Sequence, residues 1–359
     1  MRRLLFSTRR WYFILIAASV PVIVVITWML DTLYVAGEFK RLTPHFQGVC
    51  RPVYGLVGAE DITIDPTTGM AFISSFDFRA GSRGAPRQGA IYAYDLTSPT
   101  AHLIHLTQNF TAEFHPHGLS LWIGDSGERL LFVINHHPQE HSVDIFDYRA
   151  GALTYRQSIR SALMTSPNDV VAVGPNRFYV TNDHGNVSPW GRTLEEYLRL
   201  ERAYVLYYDG MQFRKVASSL AMANGITVSP DGHTLYVAAT VGRKIQVYTR
   251  DIPSGSLSWK DEIFLGTGVD NLERDPAGHL WVGAHPKLLT FVAHRKDPAV
   301  LSPSQVLKIT PGSHGRYQSD EIYLDTGETL SGSSVGAVFG QQLLMGSVFD
   351  DHFLVCQMR

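Results

Sequence analysis

The sequence predicts an all-β fold, a six-bladed β-propeller, preceded by an N-terminal transmembrane helix. The first observation is a strand–turn–strand unit, clearest in residues 166–184, where Asn168 and Asp169 lead into an apolar strand and a Gly-Pro-Asn turn at 174–176 reverses the chain. The second is that this unit occurs six times, at the spacing of roughly 50 to 60 residues expected of propeller blades. The third is an uncharged apolar segment near the start of the chain.

The N-terminal segment is predicted to be a signal anchor. Residues 1–10 are basic and carry four arginines, and Trp11 to Leu30 contain no charged residue. About 20 residues at ~1.5 Å each span the roughly 30 Å hydrocarbon core of a bilayer. The arginines predict a cytoplasmic N-terminus and a propeller on the extracellular, periplasmic or lumenal side. A cleaved signal peptide is the alternative, but the apolar segment is long for one and no Ala-x-Ala site follows it.

A linker at 31–45 and one catalytic propeller domain at 46–359 follow this segment. The six repeats begin with polar side chains just before their first strands, continue through a turn and end with a second strand. These first polar residues are Glu60, His117, Asn168, Asn224, Asp270 and, in the weakest copy, Ser333. In a propeller the first strands of all blades face one central axis, so these side chains are expected to converge.

Two segments interrupt the strand pattern. Residues 76–89 are rich in Gly and Arg without periodicity, which predicts an exposed, mobile loop. Residues 194–204 have apolar side chains at helical spacing and Glu–Arg pairs, which predicts a helix over one end of the propeller. Asn109 and Asn186 match the glycosylation sequon, whose use depends on the host.

The composition restricts the partners and indicates a disulfide. A net charge of −2 gives no reason to expect nucleic-acid binding. The two cysteines, Cys50 and Cys356, lie just before the first blade and near the end of the chain. In an exported protein such a pair favours a disulfide, and here it would tie the N-terminal strand to the last blade and close the ring. Two unpaired core thiols are the alternative.

The polar residues at the starts of the blades suit calcium. Carboxylate and amide oxygens are hard ligands, and Ca²⁺ takes six to eight of them. Several carboxylates converging without a cation would be costly. The alternative is that such residues only form turns by bonding their own backbone. The candidate ligands are Glu60, Asp61, Asn168, Asp169, Asn224, Asp270 and Asn271, and His117 accompanies them.

Four histidines are candidates for proton transfer. His117 starts a blade, His136 and His184 follow second strands, and His285 occupies a comparable place. A neutral imidazole near a polarised substrate can take a proton from water and later return it to a leaving group. The sequence has no Gly-x-Ser-x-Gly elbow, P-loop or Cys-x-x-Cys motif, which argues against a serine hydrolase, an NTPase and a redox protein. The spacing of His and Cys does not favour zinc.

At these residues the chain resembles the paraoxonase/arylesterase family of six-bladed propellers, over about Cys50 to Cys356. The matching motifs include Gly-Ala-Glu60-Asp61, His115-Pro-His117-Gly, Asn135-His136, Asn168-Asp169-Val-Val-Ala-Val-Gly-Pro, Asn182-Asp183-His184, Ala-Asn224-Gly-Ile, Asp270-Asn271 and Leu-Trp-Val-Gly-Ala-His285-Pro.

The resemblance implies two calcium ions in the central tunnel. Glu60, Asn168, Asn224, Asp270 and Asn271 match the ligands of a catalytic ion. Asp61, Asp169 and the backbone carbonyl of Leu119 match those of a structural ion. His117 and His136 match a general-base dyad, with Asp183, His184 and His285 as supporting residues, and Cys50 and Cys356 match a closing disulfide. The chain departs from the family at Phe78 or Arg79, near the usual place of a tyrosine, and at Met222, where an aromatic residue is common.

The predicted function is therefore a membrane-anchored, calcium-dependent lactonase and arylesterase acting on small hydrophobic lactones or esters. His117, assisted by His136, would activate water, although Asp270 as nucleophile or base is an open alternative. A non-catalytic binding propeller, or a propeller like the gluconolactonases or strictosidine synthases, would be the other interpretations of the same fold.

Overall fold

A computed structural model describes residues 2–137, 139–312 and 315–359, with side chains described from Ser19 onward. The chain begins with helix α1 (Arg2–Val35), which contains Pro21, and continues into strands β1 (His45–Phe46) and β2 (Gly48–Tyr54). The predicted linker at 31–45 thus begins inside α1. Within the described residues no helix is both long and apolar enough to cross a membrane. The predicted membrane segment, Trp11 to Leu30, lies partly outside the residues whose side chains are described.

Six antiparallel sheets follow, which confirms the predicted six-bladed propeller. Each sheet is one blade, numbered here along the chain, and each first strand lies innermost.

The first three blades and their helices take up residues 59–220. They consist of β3 (Ala59–Ile64), β4 (Met70–Ser75), α2 (Phe78–Ser82), β5 (Ala90–Asp95) and β6 (Ile104–His105); β7 (Pro116–Ile123), β8 (Arg129–Asn135), β9 (Ser142–Arg149) and β10 (Ala152–Arg160); and β11 (Pro167–Gly174), β12 (Arg177–Asn182), α3 (Pro189–Leu198), β13 (Ala203–Tyr208) and β14 (Phe213–Leu220).

The last three blades complete the ring. They consist of β15 (Ala223–Val228), β16 (Thr234–Ala239), β17 (Lys244–Arg250) and β18 (Leu257–Phe264); β19 (Gly268–Arg274), β20 (Leu280–His285), α4 (Leu288–Lys296), β21 (Ser304–Pro311) and β22 (Tyr317–Asp325), with β1 added at the edge; and β23 (Ser333–Phe339), β24 (Gln342–Ser347) and β25 (His352–Met358), with β2 as the outer strand.

The ring closes through the pairing of β2 with β25, in which Cys50 lies opposite Cys356. The two residues form a disulfide, which confirms the predicted closure. Because β2 comes from the start of the domain and β25 from its end, this crosslink fixes the last blade to the first part of the chain.

The hydrophobic core is divided among the blades. One cluster joins Ile62 and Ile73 of the first blade to Leu344 and Phe353 of the sixth, and another joins the second blade to the third. Each sheet therefore buries its faces against its neighbours, which is how a propeller of this size folds as one domain.

The inner strands approach one another closely around the axis, and glycine permits this at two of them. A Cβ on Gly118 would lie 2.4 Å from Asp169 Oδ1, and one on Gly225 would lie 2.5 Å from the Leu272 nitrogen. Neither position has room for a side chain, so the polar residues next to these glycines are held close to the tunnel.

Helix α3 differs from the predicted helix at 194–204, which is wrong at both ends. It begins at Pro189 because Ser188 caps it, with the Ser188 Oγ accepting from the Gly191 nitrogen. It ends because Arg199 adopts a left-handed conformation at φ 53°. Tyr204 belongs instead to β13, where pairing with β12 decides its conformation.

The expected loop at 76–89 contains a short helix, α2, so the prediction of an irregular segment is wrong there. Asp77 caps this helix by accepting from the Ala80 nitrogen at 2.9 Å. Phe76 is buried, and its ring packs edge-on against Phe78. The capping residue and the aromatic pair supply the local structure that composition alone did not reveal.

Candidate active site

The site lies at one end of the tunnel, where the six innermost strands begin. In all six, the pairing with the second strand shifts register within the first few residues. A β-bulge of this kind releases the extra residues from the ladder and redirects their side chains. The released residues include Glu60 and Asp61, His117, Asn168 and Asp169, Asn224, and Asp270 and Asn271.

Hydroxyl groups of the second strands satisfy the backbone at these bulges. The Asp61 nitrogen donates to Ser74 Oγ, and the Asp169 nitrogen donates to Thr181 Oγ1, both at 3.0 Å. Two blades therefore use the same local solution, which keeps the irregular backbone hydrogen-bonded while the acidic side chains enter the tunnel.

Four buried carboxylate and amide oxygens at this end of the tunnel have no hydrogen-bond partner among the described residues. They are Glu60 Oε2, Asn168 Oδ1, Asn224 Oδ1 and Asn271 Oδ1. Leaving one buried acceptor unpaired costs roughly 1 to 3 kcal/mol, and a bound cation is a partner that would satisfy all four together. All four are hard carboxylate or amide oxygens, which is the donor set that calcium prefers.

These residues also contact one another. Asn271 Nδ2 donates to Glu60 Oε1 at 2.8 Å, which leaves the second Glu60 oxygen free for a ligand. Asp270 Oδ2 lies 2.7 Å from His285 Nε2, and burial raises the pKa of Asp270. The structure thus brings together the five residues predicted to hold the catalytic ion, with His285 against one of them. Among the described residues, no group of three or more His, Cys, Asp and Glu side chains forms a metal cluster, and most of the convergent oxygens are amide oxygens instead.

The pair predicted for the structural ion lies deeper and has a different hydrogen-bonding pattern. Asp61 Oδ2 accepts from the Leu119 nitrogen and Asp169 Oδ2 accepts from the Ile226 nitrogen, each at 2.8 Å, so each carboxylate joins its own blade to the next. Burial, together with the other tunnel carboxylates, raises the pKa of both groups well above the ordinary value. A cation beside them would offset the free-energy cost of burying two negative charges.

Glu273 is a tunnel carboxylate that the sequence analysis missed. It lines a second cavity of about 470 Å³ at the opposite end of the tunnel, together with Leu119 and Asp169. Its charge raises the pKa of Asp61 and Asp169, and burial raises its own pKa to about 8. Asn271 and Glu273 are two residues apart on β19 and so share one face, which was a signal available in the sequence.

His117 and His136 form the predicted pair. Their nitrogens, Nδ1 of His117 and Nε2 of His136, lie 2.8 Å apart, and His117 Nε2 lies 3.5 Å from Glu60 Oε1. Burial lowers the pKa of His117, but the charge and hydrogen bond of Glu60 together with the charges of Asp183 and Asp270 outweigh it, and the net shift is upward. Burial and the neighbouring His117 lower the pKa of His136 well below its usual range. The two rings therefore differ in basicity, with His117 the better proton acceptor.

His184 supports the site from one side. Its Nδ1 lies 2.7 Å from Asp183 Oδ1 and its Nε2 lies 3.1 Å from Glu196 Oε1 on α3. Burial lowers the pKa of His184, but the two carboxylates outweigh this and raise it to about 9. A charged His184 thus holds α3 against the loop that follows β12. Its contacts do not include the four unpaired carboxylate and amide oxygens.

Four helices surround the cavity above these residues. The cavity measures about 620 Å³, and apolar residues from α2, α4 and the end of α1 line it, among them Phe78, Leu289, Phe291 and Val35. The ring of Phe78 packs on His117, with centroids 5.1 Å apart. Met222 lines the same cavity from a left-handed backbone conformation, φ 62°.

Arg79, the other residue considered at the tyrosine position, lies behind this wall. It donates to the Phe349 carbonyl and to His294 Nε2, both at 2.9 Å. Of the two candidates, Phe78 is therefore the residue that lines the cavity.

The end of α1 contacts two of the helices that line the cavity, α3 and α4. Glu38 accepts from the Leu289 and Thr290 nitrogens and so caps the start of α4. Asp31 pairs with Arg199 at the end of α3, at 2.5 Å. The N-terminal helix is therefore part of the cavity wall at its C-terminal end.

Known proteins resemble this chain in sequence across most of their length. The sequence model of the Arylesterase family matches residues 47–358. Serum paraoxonase/arylesterase 2 of Rattus norvegicus is 37% identical over 321 residues, which cover 86% of this chain and 88% of the rat protein. Serum paraoxonase/arylesterase 1 of Homo sapiens is 35% identical over 311 residues, 84% of this chain and 86% of the human protein.

Solved structures with low sequence identity show the same fold. A luciferin-regenerating enzyme superposes with a TM-score of 0.55 at 13% identity, covering 86% of this chain and 95% of that one. A putative gluconolactonase superposes with a TM-score of 0.54 at 17% identity, covering 89% and 95%.

Proposed function

The chain belongs to the arylesterase family and is a hydrolase of esters and lactones, and we propose that it uses calcium and a histidine-activated water. The observation that carries this proposal is the set of four unpaired buried oxygens beside the His117–His136 pair. A binding scaffold would gain nothing from burying unpaired acceptors next to a base.

The metal ligands would divide into two sets. Glu60, Asn168, Asn224, Asp270 and Asn271 would hold a catalytic calcium ion, and Asp61, Asp169 and the Leu119 carbonyl a structural one. When bound, the catalytic ion supplies a Lewis acid that polarises the substrate carbonyl. Because three of its five ligands are neutral amides, the charge of the ion would not be fully cancelled.

His117 would act as general base. Its Nε2 faces the cavity, within 3.5 Å of Glu60, and takes a proton from the attacking water. His136 fixes the ring through the 2.8 Å contact at Nδ1. The water oxygen bonds to the carbonyl carbon, the ester C–O bond breaks, and the proton on His117 passes to the leaving oxygen. Asn168 and Asn224 line the same cavity and are the candidate donors to the oxyanion.

Asp270 is the alternative nucleophile or base. Isotope labelling tests attack by Asp270, whereas Asp270 acting as base would give the same labelled product as His117 and is tested by the activity of His117→Gln. A single turnover in H₂¹⁸O would place the label in the carboxylic acid product if His117 activates water. It would place the label in the Asp270 carboxylate if that group attacks first. His285, 2.7 Å from Asp270 Oδ2, holds the carboxylate in one orientation.

The substrate would be small and hydrophobic. Much of the cavity wall is apolar, with Phe76, Phe78, Met222, Phe291 and Phe349 around the polar floor. Transfer of apolar area from water contributes about 25 cal/mol per Å², so an aryl or alkyl group would add most of the binding free energy. A comparison of kcat/KM along a series of lactones with lengthening side chains tests this, and a flat series would contradict it.

The N-terminal helix would attach the enzyme to a membrane, with the propeller on the extracellular, periplasmic or lumenal side. Residues 22–26 are apolar and more than half exposed, which supports burial in another phase. Alkaline carbonate extraction of membranes from cells expressing the full chain tests the proposal. We expect the protein to remain in the membrane pellet, and its release into the supernatant would contradict anchoring.

A further inference from the structure

A third histidine continues the line formed by His117 and His136. The Nδ1 atoms of His136 and His141 lie 3.3 Å apart, and the two rings stand perpendicular with centroids 5.0 Å apart. His136 therefore has one nitrogen toward His117 and the other toward His141. His141 is the first residue before β9, and the segment after β8 that carries His136 brings the two rings together.

The line of rings connects two different cavities. His117 and His136 line the active-site cavity, whereas His141 lines a separate cavity of about 640 Å³ between the segments that follow β8 and β10. Exposed residues, among them Gln139 and Glu140, surround this outer cavity. His141 itself is half-buried. The three imidazoles thus lead from the reacting end of the tunnel to a solvent-facing surface.

Hydrolysis of an ester creates a need for such a connection. Water and ester give an alcohol and a carboxylic acid, and at neutral pH the acid loses its proton, so each turnover releases one proton inside the cavity. Apolar side chains line much of the cavity wall and offer no acceptor for this proton. A proton that stays on His117 would leave no base for the next cycle.

We propose that His141 passes this proton from His136 to solvent, an inference that rests on the proposed hydrolytic function. The carboxylic acid product gives its proton to His117 Nε2, and His117 releases its Nδ1 proton to His136 Nε2. His136 then releases its own Nδ1 proton to His141 Nδ1, and His141 releases its Nε2 proton to water. Each ring gains one proton and loses one, and rotation of the rings restores the starting tautomers. His141 acts through His136 and does not touch the substrate.

The charges around the two rings support the transfer. Burial lowers the pKa of both His136 and His141, and the charges of His117 and of Arg192 on α3 lower both further. His141 and His115 also lower the pKa of His136, and His137 lowers that of His141. Asp183 acts in the opposite direction on His141. A neutral ring has one donor and one acceptor nitrogen, which is the state that passes a proton along a chain.

The experiment uses the full-length protein and the variants His141→Phe and His141→Gln. Phenylalanine keeps an aromatic ring at the position, and glutamine keeps a polar side chain without proton exchange near neutral pH. In very dilute buffer we expect either variant to lower kcat for an aryl acetate by about tenfold, with KM unchanged, because general acid–base steps are affected on this scale or above. Added imidazole should restore kcat in the variants and leave the unsubstituted enzyme unaffected.

His137→Phe is the matched control. His137 lines the same outer cavity, but its ring lies 3.6 Å from Glu113 instead of on His136. The kcat of His137→Phe in dilute buffer should therefore equal that of the unsubstituted enzyme. Equal kcat values for the His141 variants and the unsubstituted enzyme, with no response to imidazole, would overturn the relay while leaving the hydrolytic function intact.

A measurement without substrate separates failure of the relay from failure of the proposed function. Spectra of the ¹⁵N-histidine-labelled resting protein should show a hydrogen-bonded ring proton between His136 and His141, and His141→Gln should remove it while the His137→Phe spectrum keeps it. Absence of this proton overturns the relay whether or not any ester is hydrolysed. If the protein hydrolyses no ester, no proton is produced for the relay to export. That result would overturn both the relay and the proposed function.

Discussion

The contacts of His184 predict that the protein loses stability in mild alkali. The pKa of His184 is raised to about 9 because Asp183 and Glu196 bond its two nitrogens, and its side chain is only 7% exposed. Relative to an ordinary value of about 6.5, this corresponds to on the order of 3 kcal/mol of folding free energy. Since the folded pKa is the higher one, the contribution is complete below pH of about 6.5 and disappears as the pH rises through about 9.

The assay is urea unfolding of the protein and of His184→Gln at pH 6 and at pH 10. The free energy of unfolding of the unsubstituted protein should exceed that of His184→Gln at pH 6. At pH 10 we expect this difference to be smaller by on the order of 3 kcal/mol. His102→Gln, which changes an exposed histidine between β5 and β6, is the control and should show no such difference. A gap between the protein and His184→Gln that is the same at both pH values would refute the reasoning.

Three further predictions concern the base, a metal ligand and the disulfide. His117→Gln should lower kcat for ester hydrolysis by about 10²- to 10⁴-fold without changing the melting temperature, and undiminished turnover would eliminate the histidine base. Asn168→Ala should raise the calcium concentration that gives half of the thermal stabilisation, because it removes one unpaired oxygen from the site; an unchanged titration midpoint would argue against that ligand. Replacing Cys50 and Cys356 together by serine opens a loop of 306 residues, which costs up to about 5 kcal/mol in the loop-entropy treatment. Scanning calorimetry should show a lower melting temperature, and an unchanged one would mean that β2 closes the ring without the bond.

The repeats made the fold and the main site residues predictable. The polar residue before each first strand has the same place in the repeat, and a propeller puts that place at the axis. The resemblance to the arylesterase family, confirmed by the match over residues 47–358, pointed to the same residues. The Cys50–Cys356 disulfide followed from the need to join the two ends of the ring.

Other features depend on tertiary contacts that a linear pattern does not record. The bulges that release Asp61 and Asp169 are stabilised by Ser74 and Thr181, which come from the next strand and carry no signal of their own. The start of α3 was missed because its cap and first proline precede the apolar periodicity that predicts a helix. His141 was missed because its partner, His136, is five residues away across a turn.

The contacts that hold the cavity wall together could also be identified only from the structure. Glu38, in the predicted linker, caps α4 some 250 residues later, and Phe78, in the predicted loop, packs on His117. Both contacts join segments that are irregular in sequence, so neither periodicity nor composition could have placed them. They matter because they hold part of the apolar wall of the cavity in place.

Calcium-dependent hydrolysis is the most direct test of the whole account. The full-length chain would be assayed on an aryl acetate, an aliphatic δ-lactone and a long-chain acyl-homoserine lactone, each with calcium, with a chelator and with calcium restored. We predict that hydrolysis is lost on chelation and recovered with calcium, because the unpaired oxygens of Glu60, Asn168, Asn224 and Asn271 require a cation. Hydrolysis that proceeds at the same rate in the chelator would contradict the role assigned to this site.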